Sequence, residues 1–190
     1  MRVITPEPFT VYKFEELSEQ AQQRAIESIV EMLQQSWDSR DIEQVGEVIL
    51  YTFAQKLGTP GLEEWGFGDF PGIPGTTLAE WDLDRSQTVK FQGVLTRENA
   101  PSLPWANGIT SVILNDRNYQ KKIHVSWDYY AAGEPDDAAV QAMSDAVGAA
   151  LVDAWDSGNQ EAEYRTSEEF AVEWINDAEP EFREDGTLYT

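Results

Sequence analysis

The 190-residue chain contains no cysteine. That absence excludes disulfides, a thiolate metal site and a cysteine nucleophile, and it fits a reducing compartment. Histidine occurs once, as His124 in Lys-Lys-Ile-His-Val-Ser-Trp. A zinc site built on two histidines is therefore excluded, and a Ser-His-Asp triad would have to use this one residue, which stands near no nucleophile elbow. Positive charge is scarce: Lys and Arg together number 13 against 35 Asp and Glu, for a net charge of −22. No apolar run approaches the length needed to cross a bilayer, and residues 1–14 lack the basic start and continuous apolar stretch of a secretion signal. The expectation is a soluble intracellular protein. The glycines between Thr59 and Thr77 match neither GxGxxG nor GxxxxGK[ST] and have no basic residue beside them, so they do not read as a phosphate loop.

What the chain does have is apolar mass and negative charge together. A hydrophobic fraction of 41%, with seven Trp, seven Tyr and eight Phe, argues for a folded core despite the charge. The length suits one domain spanning 1–190. The charge is uneven. Residues 134–190 hold sixteen acidic side chains and two basic ones, whereas 49–133 hold nine and seven. Such a surface repels DNA, RNA and anionic membranes at long range and favours a basic partner. A solubilising role for the acidity is the ordinary alternative. Adaptation to high salt is another, which five Lys would suit but the many Gln and large aromatics would not.

Phe9 to Phe14 alternates as a short strand. Ser18 opens a helix whose apolar set, Leu17, Ala21, Ala25, Ile29, Leu33 and Trp37, repeats every 3.6 residues. After a break near Asp38 and Ser39, a second helix carries Ile42, Val45, Ile49, Leu50, Phe53 and Leu57 and ends at Gly58. Two consecutive amphipathic helices are expected to pack antiparallel. The Gly/Pro-rich stretch 59–77 reads as an ordered loop held down by Trp65, Phe67 and Phe70. Four strand signals follow. Ala79, Trp81 and Leu83 alternate with Glu80, Asp82 and Asp84; Val89, Phe91 and Gly93 continue; Ile109 to Leu114 and Ile123 to Tyr129 complete the set. A third helix is expected from Asp136 to Ser157, stopping before Gly158, with a face of Ala139, Met143, Val147, Ala150, Leu151 and Ala154. A fourth, from Ser167, buries Phe170, Trp174, Ile175 and Ala178 and stops before Pro180. The fold class read from this order is α+β: a mostly antiparallel sheet of about four strands packed with two N-terminal and two C-terminal helices.

On the fourth helix Glu169, Glu173 and Asp177 form an i, i+4, i+8 stripe, with carboxylates spaced by about 6 Å along the axis. Neighbouring phosphates on a nucleic-acid strand have a comparable spacing. Asp82 and Asp84 share a strand face that Asp128 or His124 could join to hold Mg²⁺ or Mn²⁺; carboxylates on a solvated strand face are the plain alternative. Among 35 acids no glycosidase pair can be singled out. Trp65, Trp81, Trp105 and Trp127 could stack a sugar or base, but core packing explains them as well.

Several segments in consistent order carry a likeness: Tyr12-Lys13-Phe14-Glu15-Glu16-Leu17-Ser18-Glu19-Gln20-Ala21 with Ala25, then Asp82-Leu83-Asp84-Arg85 with Phe91 and Gly93, then Glu163-Tyr164 with Thr166-Ser167, and Phe182-Arg183-Glu184-Asp185-Gly186. Over nearly its whole length the chain resembles a group of acidic proteins of tailed bacteriophages, a group with no established active site to carry over. It differs in being more acidic and in having the 59–77 loop. By analogy with antirestriction and anti-CRISPR DNA mimics, the resemblance implies a non-enzymatic anti-defence inhibitor without a cofactor, working in the cytoplasm of the bacterial host. Its partner would be the basic surface of a host DNA- or RNA-binding protein, and a homo-oligomer is possible. The presenting residues would be Asp145, Asp153, Asp156, Glu161, Glu163, Glu169, Glu173 and Asp177. A metal-dependent enzyme using Asp82, Asp84 and Asp128, or a plain interaction protein docking through apolar contacts, stand as the alternatives.

Overall fold

The computed structural model describes residues 10–35, 39–64, 71–83, 88–106, 108–114, 129–131 and 136–189. Expectations resting on Phe9, Trp37, Trp65, Phe67, Phe70, Asp84, Ile123, His124, Trp127 and Asp128 lie outside them. The class is α+β, and the chain divides into two compact units. A helical unit joins Met1–Asp38 to Glu163–Thr190, and a sheet unit comprises Ser39–Ala162. No helix among the described residues is long and apolar enough to cross a membrane.

The helical unit is built on α1 (Glu19–Gln35), which buries Ala21, Ala25 and Ile29 at the expected spacing. The face is taken by α4 (Glu168–Ala178), the last helix of the chain, through Ala171 and Ile175. Sequence neighbourhood had pointed to the second helix instead. Small Ala residues on both helices permit the close approach, and residues beyond α4 lock it. Phe182 is fully buried and exchanges backbone hydrogen bonds with Tyr12 at 2.9 Å in both directions. Of the strand expected over residues 9–14, the described residues 10–14 form a single bridge at Tyr12, followed by a 3₁₀ turn, Phe14–Glu16. The Nζ of Lys13 donates to the Glu179 carbonyl at the end of α4, while Glu168 at its start lies beside Glu27 and Glu31 of α1. The two helices therefore run antiparallel. Ser167 caps α4 by accepting from the Phe170 N–H at 3.2 Å, and the helix stops at Glu179, whose φ of 45° is left-handed, just before Pro180. Ala178, expected in the core, is exposed on that final turn.

In the sheet unit, β1 (Thr76–Asp82), β2 (Thr88–Thr96), β3 (Ile109–Leu114) and β4 (Tyr129–Ala131) form an antiparallel meander in the order β1-β2-β3-β4. Val89, Phe91 and Leu95 alternate inward from β2 and Val112 from β3. A bulge in β1 between Leu78 and Glu80 overturns the simple alternation expected there. Ala79 is exposed as a result, and Leu78 and Trp81 both stand beside Gly46 of α2 (Ser39–Leu57). This helix lies on the sheet, with Phe53 stacked on Phe91 at a 4.0 Å centroid separation. Its apolar face begins at Val45; Ile42, one turn earlier, is exposed.

The helix α3 (Asp137–Arg165) is two turns longer than the sequence suggested, because Gly158 does not end it. Gly158 is buried, and a Cβ there would stand 2.5 Å from Cγ1 of the fully buried Ile49. The glycine therefore serves close packing between α3 and α2, not termination. Of the expected inner face, Met143, Val147, Ala150, Leu151 and Ala154 are buried, while Ala139 on the first turn is half-buried. The described part of the 59–77 loop is fixed by Ile73, which is buried, and by Asn99, a residue the sequence did not single out. The Asn99 amide donates to the carbonyls of Pro74 and Val94 at 2.8 and 3.0 Å and accepts from the Thr96 N–H at 2.7 Å. Both amide hydrogens and the amide oxygen are engaged, as burial requires.

Candidate acidic interface

The eight carboxylates singled out in the sequence divide evenly between the units. Asp145, Asp153, Asp156 and Glu161 belong to the sheet unit, and Glu163, Glu169, Glu173 and Asp177 to the helical unit. The helical unit holds 16 acidic and 5 basic residues, half of the chain's net charge on about a third of its length.

On α4 the stripe is real. Glu169, Glu173 and Asp177 are all exposed, as helical periodicity requires when Ala171 and Ile175 face inward. Glu169 and Asp177 have no hydrogen bond or ion pair among the described residues. Glu173 accepts a hydrogen bond from the Tyr164 hydroxyl at 2.7 Å. The Tyr164 ring in turn meets Phe170 edge-on at 5.5 Å, and the Arg165 guanidinium lies over the Phe170 ring, 5.2 Å from its centroid. This small aromatic group supplies the middle carboxylate with a hydrogen-bond donor. Sequence reasoning did not anticipate it, although Tyr164 stands nine residues before Glu173.

A second set of carboxylates accompanies the stripe. Arg24, Glu27, Ser28, Val30, Glu31 and Glu168 line a shallow depression between α1 and α4. Glu27 and Glu31 are not among the carboxylates singled out in the sequence, although their own i, i+4 spacing was the available signal. Asp185, on the turn after α4, accepts from both the N–H and the hydroxyl of Thr187, and these bonds hold its carboxyl below the ordinary value of 3.8.

On α3 the arrangement is sparser. Asp145, Asp156 and Glu163 share the exposed face, but Ala149 and Val152 separate the first two. The rises along that face are about 16 Å from Asp145 to Asp156 and about 10 Å on to Glu163. Neither matches the spacing of adjacent phosphates. Asp145 accepts from the Gln141 amide at 2.8 Å, and Asp153 is in an ion pair with Lys56 of α2 at 2.8 Å. That pair takes up the charge of Asp153 locally. Glu161 is half-buried.

Of the alternative metal set, Asp82 ends β1, half-buried and opposite Thr88, while Asp84 and Asp128 fall outside the described residues. Among the described residues no three His, Asp or Glu side chains are grouped to hold a metal ion. Comparison with protein-family models, curated proteins and solved structures gives no match.

Proposed function

We propose that this protein is a bacteriophage anti-defence inhibitor, acting in the bacterial host cytoplasm, whose helical unit occupies the nucleic-acid-binding surface of a host defence protein. The observation that carries the reading is the α4 stripe. It presents three exposed carboxylates at about 6 Å intervals, two of them without a partner among the described residues and the third hydrogen-bonded by the Tyr164 hydroxyl. A guanidinium or ammonium group placed to meet successive phosphates would meet these carboxylates instead. Glu27, Glu31 and Glu168 widen the acidic surface beside it. Asp145, Asp156, Glu161 and Glu163 take a supporting part through long-range attraction, and Asp153 the least, because Lys56 already neutralises it.

The test has two arms. Host proteins retained by the immobilised protein at low salt are first challenged with duplex DNA, single-stranded DNA and RNA. A specific partner is released by the nucleic acid it normally binds. The triple variant Glu169→Lys, Glu173→Lys, Asp177→Lys is then compared at matched helicity; loss of that partner is expected, with association slowed more than tenfold. Undiminished binding by the triple variant would sink the assignment of the surface to α4. Retention that nucleic acid cannot displace would sink mimicry itself.

A further inference from the structure

We draw no further inference here: the strongest candidate, the solvent-facing stripe of α3 formed by Ala142, Ala149 and Val152 around Asp145 and before Asp156, is an unpartnered small-residue face, and nothing in the structure shows what covers it.

Discussion

Gly158 and Gly186 show how much of this fold turns on the absence of a side chain. At Gly158 two effects compete. Alanine would gain about 1 kcal/mol of helix propensity, but its Cβ would press on Cγ1 and Cδ1 of Ile49, which has no solvent to move into. Overpacking of a rigid core costs about 1–3 kcal/mol, so Gly158→Ala is expected to lower stability by roughly 1 kcal/mol. Pairing it with Ile49→Ala should relieve the clash, and a double-mutant cycle in urea would read a favourable coupling; simple additivity would mean the two side chains do not meet. Gly186 allows no such relief. Its φ is +88°, and a Cβ would stand 2.1 Å from the Ala21 carbonyl oxygen, which is backbone and cannot rotate away. Gly186→Ala should cost about 3 kcal/mol, seen as lost amide protection across α1 and α4. Beside it, Asp185 ties the same turn. Because its carboxyl is held below 3.8, this contribution is complete at neutral pH and is lost only as pH falls below that value through the folded pKa. Thr187→Val removes the hydroxyl donor and should bring the Asp185 titration, followed by NMR, back up towards 3.8.

At the scale of elements, α4 carries opposing demands. Like charges at i, i+4 cost a few tenths of a kcal/mol per pair. Glu169 recovers that through its place at the positive N-terminal end of the helix, while Asp177 sits at the negative end and loses twice. Asp177→Asn is therefore expected to stabilise the protein by about 0.5 kcal/mol, and Glu169→Gln to leave stability nearly unchanged. If both also weaken partner binding, the carboxylates are retained at a cost to the fold, which is the pattern expected of an interface. If Asp177→Asn stabilises and binding is untouched, that residue is ordinary surface. The elements themselves were largely legible, because periods of 3.6 and 2 are local properties of the chain. The Ala21, Ala25, Ile29 face, the α3 core face and β3 all follow from spacing alone. Their partners were not legible. The pairing of α1 with α4 depends on Phe182 meeting Tyr12 across 170 positions, and the β1 bulge on hydrogen bonding to β2. Gly158 misled for a related reason: a glycine that ends a helix and one that admits a neighbouring side chain look identical in sequence. The stripe of Glu169, Glu173 and Asp177 could be read from spacing, whereas its support by Tyr164 and the neutralisation of Asp153 by Lys56 needed the fold.

Across the whole molecule, the residues that carried the phage resemblance and the residues proposed to act are mostly different sets. Leu17, Ala21, Ala25 and Phe182 belong to the core of the helical unit, Tyr12 and Phe14 pack against it, and Gly186 lies on its backbone. They specify a scaffold, and the acidic side chains are displayed on it. That scaffold is under electrostatic load, with half of the net charge of −22 on about a third of the chain. Self-repulsion of this kind is screened as the Debye length falls from about 30 Å at 0.01 M salt to about 3 Å at 1 M. Raising ionic strength should therefore increase amide protection in α1 and α4, and do so more than in β2 and β3, which hold one lysine and no acidic residue between them. Partner binding has the opposite salt dependence, because screening weakens attraction to a basic surface as surely as it weakens self-repulsion. Hydrogen exchange at low and high salt, set beside binding over the same range, separates the two possible origins of the acidity. Protection that rises while affinity falls by tenfold or more would mean that the same carboxylates strain the fold and serve the interface. A rise in protection with no salt-sensitive partner would leave the charge as a solubilising surface, carried at the expense of stability.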